Sequence, residues 1–196
     1  MILSATATKD GRKLIVREAV REDARALIRA VDAVSRERRF FLRSSFELDV
    51  EAEGAWLAQA RRRGDLILLG LVEKRLAGWV TLLRHRQEFR RHASELGIGV
   101  LREYRGLGVG GALMTTTLEW AAENHVERVE LSVRAGNIPA LRLYKSLGFA
   151  QEGYRTRSVK DDQGAYHDDV LMALFVQDQI VAQCQRDHGR QILARR

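Results

Sequence analysis

The stretch Val100-Leu101-Arg102-Glu103-Tyr104-Arg105-Gly106-Leu107-Gly108-Val109-Gly110-Gly111-Ala112-Leu113 constrains this chain more than any other. It follows the apolar run ELGIGVL (95–101) and opens directly into a helical pattern, with four glycines in six residues and arginines before them. A glycine-rich turn lets several backbone N–H groups converge on one point. A helix starting there adds its own unsatisfied amides and the positive end of its dipole, so the unit is a receptor for phosphate. Glycine is required because a Cβ would hold the backbone away from a bulky anion. A bare strand-to-helix turn needs fewer glycines than this.

Two common phosphate binders fail on context. Gly106-x-Gly108-x-x-Gly111 has the spacing of a dinucleotide fingerprint, but that motif belongs in an early βαβ unit whose next strand ends in Asp or Glu. Here two helices and an antiparallel hairpin are read before it, and the following strand ends in Arg134. No GxxxxGK[ST] is present, which removes the nucleotide P-loop.

Composition narrows the class. The 196 residues suit one domain with a substantial core. No apolar run approaches about 18 residues and no signal-peptide pattern opens the chain, so a cytoplasmic protein without a membrane span is expected. The single cysteine, Cys184, excludes an internal disulfide and a CxxC metal knuckle. A net charge of +7 invites a nucleic-acid reading, but acidic residues are interspersed and stacking aromatics are few. The same positive field suits a small ligand carrying several phosphates.

Read in order, residues 13–18 form a strand, and Asp23 opens a helix with Leu27, Val31 and Val34 inward. The aromatic stretch 38–48 reads as a core plug or as a substrate-facing loop, and Asp49 caps a second helix carrying Trp56, Leu57 and Ala60. Residues 66–73 and 76–84 make an antiparallel hairpin, 95–101 a buried strand, 108–124 a helix and 127–134 an alternating strand. Asn137 caps a helix with Pro139 in its first turn and Gly148 at its stop, and 153–160 with 166–176 form a last hairpin. This is an α/β chain with a mixed sheet, divided into an N-terminal arm (1–12), one catalytic-sized domain (13–176) and a basic tail (177–196).

Within that frame Arg105-x-x-Gly108-x-Gly110 and Asn137-x-x-Ala140-x-x-x-Tyr144-x-x-x-Gly148-Phe149 stand about 30 residues apart. Together they resemble the two signature motifs of the GNAT superfamily of acetyl-CoA-dependent N-acetyltransferases. The resemblance runs from about Leu14 to Val176 and excludes the tail. It implies a GNAT-like fold of about seven strands, mostly antiparallel, with a central splayed parallel pair and four helices. It implies acetyl-CoA as co-substrate, no metal, and an amine of a small molecule or peptide as acceptor. By the same resemblance Ile98, Gly99 and Val100 pair with the pantetheine arm. Arg105, Gly106, Leu107, Gly108, Val109, Gly110 and Gly111 hold the pyrophosphate, and Asn137 binds the arm or positions Tyr144.

Amide formation from a thioester needs a neutral amine, a stabilised carbonyl oxygen and a protonated leaving thiolate. Tyr144 is the expected general acid and Glu95 the expected general base. Glu103 balances charge in the loop, Ser132 stands where peptide-terminus acetylating relatives carry glutamate, and His85, His92 and His167 read as surface residues. Glu37, Glu47 and Asp49 are the acidic groups that would draw in a cationic amine. A non-catalytic acyl-CoA sensor of the same fold is the alternative. A homodimer through the sheet edge or the tail is open to this fold, though no residue specifies it.

Overall fold

Alternating segments such as 13–18 and 128–134 and continuous apolar runs such as 66–72 pair into a single mixed sheet. The computed structural model describes residues 1–39 and 49–177. Most of the stretch read as a substrate-facing loop, Glu47 and nearly all of the basic tail with Cys184 lie outside the described residues. The strands are β1 (Ile2–Ala7), β2 (Lys13–Glu18), β3 (Leu66–Val72), β4 (Arg75–Arg84), β5 (Ala93–Val100), β6 (Arg128–Arg134), β7 (Ala150–Lys160) and β8 (Tyr166–Phe175). The helices are α1 (Ala24–Ser35), α2 (Val50–Ala60), α3 (Val109–Glu123) and α4 (Ile138–Ser146).

The strand order is β1-β2-β3-β4-β5-β6-β8-β7. Every neighbouring pair is antiparallel except β5 and β6. The α/β class, the mixed sheet, the central parallel pair and the four helices agree with the sequence reading. Among the described residues the strand count is eight rather than about seven. The extra strand is β1, which occupies half of the segment read as an arm and pairs antiparallel with β2. Its sequence, ILSATA, is too polar in alternation to announce a strand; pairing with β2 supplies the order that pattern does not.

Local capping explains the start of α2 but not that of α1. Asp49 accepts a hydrogen bond from the Glu51 N–H at 3.1 Å, as its position before α2 implies. Asp23, read as the cap of α1, serves a different purpose. Its carboxylate accepts from the Arg17 guanidinium at 2.6 and 2.7 Å and from the Val20 N–H at 2.8 Å, tying β2 to the helix entrance.

Two cores lie on opposite faces of the sheet. On one, α1 and α2 cover Ile67, Leu69 and Trp79. On the other, α3 covers Leu66, Leu68, Val80 and Leu82, with Tyr144 and Phe149 in the same cluster. The second contact is unusually close because Gly70 and Gly78 face each other across β3 and β4. A Cβ on Gly70 would stand 3.5 Å from Leu113 Cδ1, and one on Gly78 3.3 Å from it. The two glycines thus form a hollow that Leu113, fully buried, fills. No helix among the described residues is long and apolar enough to cross a membrane.

Leu113→Ala should therefore cost near the top of the range for such truncations, about 4 kcal/mol, because neither glycine can move a side chain into the void. Urea denaturation of the two proteins measures it; a loss under about 2 kcal/mol would mean that the hollow closes.

Candidate active site

The site begins where two strands part. β5 and β6 pair only at Ala93–Arg128, Ser94–Val129 and Glu95–Glu130. Beyond these, β5 stays on β4 as far as the Val100–Gly78 pair, and β6 stays on β8 as far as Arg134–Asp169. Each strand follows its antiparallel partner, and a wedge opens between them. At its far end the Arg134 guanidinium donates to Asp169 at 2.7 Å, with both side chains nearly buried, so β6 is pinned to the outer side of the wedge.

The glycine loop and the start of α3 stand at the mouth of that wedge. Gly108 is the residue before α3 and has φ of +93°, a conformation open to glycine and costly for other residues. A Cβ at Gly106 or at Gly111 would meet nothing within 4 Å. The hollow over the loop is thus empty because those side chains are missing. A cleft of about 630 Å³ runs from here along Ile98, Gly99 and Val100 to Asn137, Ala140, Leu143 and Tyr144.

Tyr144 reaches this cleft because α4 ends as it does. Asn137 caps the helix, accepting from the Ala140 N–H at 3.3 Å. At the other end Gly148, with φ of +91°, reverses the chain. The Phe149 N–H then donates to the Tyr144 carbonyl at 3.0 Å and the Gly148 N–H to that of Lys145 at 3.0 Å. These two bonds and the packing of Phe149 on Tyr144, ring centroids 5.8 Å apart, make a Schellman stop. The Tyr-x-x-x-Gly-Phe spacing is therefore a clamp on the tyrosine. Tyr144 is 6% exposed, and burial pushes its phenol up to about 12.

Arg105 lines the cleft, but its charge is engaged elsewhere. It donates to both Glu37 carboxylate oxygens, at 2.6 and 2.7 Å, and through Nε to the Val100 carbonyl at 2.9 Å. It works as a strut joining the end of α1, the end of β5 and the glycine loop. The neighbouring Arg38 pairs with Asp162 in the β7–β8 turn, so the segment leaving α1 is fastened on both sides of the cleft mouth.

Of the residues expected from sequence, Ile98, Gly99, Val100, Arg105, Gly106, Gly108, Gly110, Gly111, Asn137 and Tyr144 line this one cleft. Leu107 and Val109 do not; their side chains pack into the core beside α3, leaving only backbone for a ligand. Glu95 also stands outside it, exposed on the sheet face that carries Gly97 and Gly99. Beside it in register lies Glu130, an acidic residue the sequence reading passed over. Burial raises Glu130, yet its bonds to His85 at 2.7 Å, to Arg128 and to Arg90 carry it below the usual range. His85 is thus half-buried in an ion-pair cluster, and His167 bonds Asp161 at 2.7 Å. Lys9, Tyr104 and Leu143 also line the cleft. Leu143 shares a helical face with Tyr144 and was within reach of a periodicity argument, whereas nothing local marks Lys9.

Residues 24–149 match the model of the acetyltransferase (GNAT) family. The chain belongs to that family. An L-amino acid N-acetyltransferase of Escherichia coli is 33% identical over 96 residues, 48% of this chain and 59% of that protein. The chain spans about half the length of the curated relatives it matches. Among solved structures, an acetyltransferase of the GNAT family from Streptococcus pneumoniae superposes with a TM-score of 0.77 at 28% identity, over 83% of this chain and 99% of that one. A Salmonella typhimurium protein solved with its cofactor acetyl-CoA has the same fold, at TM-score 0.77 and 18% identity over 83% of this chain and 94% of its own. The GNAT match ends at Phe149, the residue that closes the clamp on Tyr144.

Gly148→Ala should lower stability by about 1–2 kcal/mol, since alanine is strained at that φ. Thermal or urea unfolding reads the loss, and near-UV dichroism from Tyr144 should change with it. An unperturbed transition would mean that the stop of α4 tolerates a Cβ.

Proposed function

We propose that this chain transfers an acetyl group from acetyl-CoA to a primary amine of a small molecule or a peptide, by direct attack within a ternary complex. The observation that carries this reading is the single cleft joining the glycine hollow at the start of α3, the wedge between β5 and β6, and the Tyr144 hydroxyl. The open space over Gly106 and Gly111 suits a pyrophosphate, because a Cβ there would occupy it. The solved relative with acetyl-CoA supports the choice of cofactor.

Acetyl-CoA, when bound, supplies a thioester whose carbonyl takes the amine and whose sulfur departs as thiol. The loop and the first turn of α3 hold its phosphates with backbone amides and the helix dipole. The side of β5 that faces the wedge, from Ile98 to Val100, offers main-chain groups beyond the last β6 pair, and these bond the amide-rich arm. An N–H of the same edge polarises the carbonyl.

Tyr144 donates a hydrogen bond to the departing sulfur. With the phenol near 12 and a thiol near 8.5, complete transfer to a free thiolate is uphill by about 5 kcal/mol. The phenol therefore acts chiefly as a hydrogen-bond donor while charge develops, and the proton lost by the amine completes the thiol. Glu95 accepts that proton from the amine and returns it to the departing thiolate, so the base is regenerated. It lies three residues before Ile98, about 10 Å along the strand, so water must relay it. The acceptor approaches beside the Glu37–Arg38 segment and the β7–β8 turn, which the Arg38–Asp162 pair joins at the mouth of the cleft.

One observation favours a non-catalytic acyl-CoA sensor: among the described residues no carboxylate lines the cleft. Thiol release from acetyl-CoA with a panel of amines separates the two readings, since a sensor binds and does not turn over.

Gly111→Asp is the clean test of the phosphate cradle. The position has room for a side chain and lies in the first turn of α3, where a carboxylate stabilises the helix. The variant should fold as well as the parent and lose at least about 100-fold in acetyl-CoA affinity by isothermal titration; unchanged affinity would remove the cradle. Tyr144→Phe should lower kcat at least about 100-fold with little change in cofactor affinity. Because the phenol is raised to about 12, it stays protonated up to about pH 11, so the parent should show no falling limb from Tyr144 below pH 10. A kcat near the parent's would reduce Tyr144 to packing.

A further inference from the structure

The N-terminal hairpin reaches the glycine loop. The Lys9 N–H, in the turn between β1 and β2, donates to the Leu107 carbonyl at 3.0 Å. A Cβ built on Gly108 would stand 4.0 Å from Lys9 Cγ. Arg12, at the other end of the turn, lies over the ring of Tyr104, 5.5 Å from its centroid. Both Lys9 and Tyr104 line the cleft.

The turn is internally braced. The Thr8 N–H donates to the Arg12 carbonyl at 2.8 Å, the Gly11 N–H to the Thr8 carbonyl at 2.9 Å, and the Arg12 N–H to Thr8 Oγ1 at 3.0 Å. Thr8 Oγ1 also bonds Asp10, whose carboxylate takes the Arg12 guanidinium at 2.7 and 2.9 Å. The backbone of Lys9 is thereby fixed against the loop, while its side chain remains exposed.

Lys9 differs from the other cations around the loop in its charge pairing. The described residues lining the cleft include two cations, Lys9 and Arg105. Arg105 is neutralised by two bonds to Glu37, and Arg12 nearby by two bonds to Asp10. Lys9 forms no ion pair among the described residues. A pyrophosphate diester carries two negative charges. The helix end offers about half a positive charge, so a cradle of amides alone leaves most of that charge unbalanced.

We propose that Lys9 is the charged partner of the pyrophosphate, supplied to the site from outside the family-matching segment 24–149 by the β1–β2 turn. The assignment rests on the acetyl-CoA reading above. The long stem lets the ammonium swing over Gly108 and Gly106 as a point charge without disturbing the amide cradle.

The test measures affinities of the full chain for acetyl-CoA, acetyl-3′-dephospho-CoA and S-acetylpantetheine, by isothermal titration, in the parent, Lys9→Met and Lys9→Arg. Lys9→Met keeps the stem and the backbone bond to Leu107. It should weaken the first two ligands by about tenfold and leave S-acetylpantetheine unchanged. Lys9→Arg should restore most of the affinity, and the difference between parent and Lys9→Met should narrow at high salt. A Lys9→Met protein that binds acetyl-CoA like the parent overturns the assignment while leaving the cofactor reading intact. A loss confined to acetyl-CoA itself overturns it in favour of the 3′-phosphate. A parent protein that binds none of the three overturns the cofactor reading and this assignment together.

Discussion

The parting of β5 from β6 is the constraint on which the rest depends. Three parallel pairs start the two strands together, and each then obeys its antiparallel neighbour, β4 on one side and β8 on the other. Antiparallel ladders hold slightly better per residue than parallel ones, so the weaker pairing is the one that yields. The Arg134–Asp169 bond secures the outer strand at the last pair of the β6–β8 ladder. From that wedge follow main-chain groups of β5 that β6 does not pair, and a floor for the cleft.

Around the wedge, charge is distributed so that few ions are left without partners. Arg105 is held by Glu37, Arg38 by Asp162, and Glu130 by His85, Arg90 and Arg128. These pairs join segments far apart in sequence, and their value is positional: exposed pairs of this kind add little stability each. The glycine loop is thus set between the end of α1 and the β1–β2 turn before any ligand arrives. Preorganised amides then need little rearrangement to meet an anion, and Lys9 is the mobile charge on an otherwise fixed surface.

Much of this was legible in the sequence, for physical reasons that differ from residue to residue. The loop glycines were legible because few other demands explain glycine at that density. Asn137, Tyr144 and Gly148 were legible because helix caps and stops have strong residue preferences, and the clamp on Tyr144 is built from one such stop. Arg134 was read as evidence against a dinucleotide site, and it proves to be the strut of the wedge. Illegible were the features made by long-range contact. β1 has no strand pattern of its own, Asp23 exchanges its capping role for Arg17, and Lys9 is a lysine in a polar turn until the fold sets it beside Leu107. Glu95 could be picked by type and position, but its separation from the cleft depends on which way the strand faces, and a single central strand does not reveal that.

The central question for the molecule is whether the loop, the wedge and Tyr144 serve one ligand. A crystal structure of the chain with coenzyme A measures this directly. The pyrophosphate should lie on the amides between Gly106 and Gly111, the pantetheine arm along Ile98 to Val100, and the sulfur within hydrogen-bonding distance of the Tyr144 hydroxyl. A sulfur that emerges elsewhere, with Tyr144 buried away from it, would contradict the account.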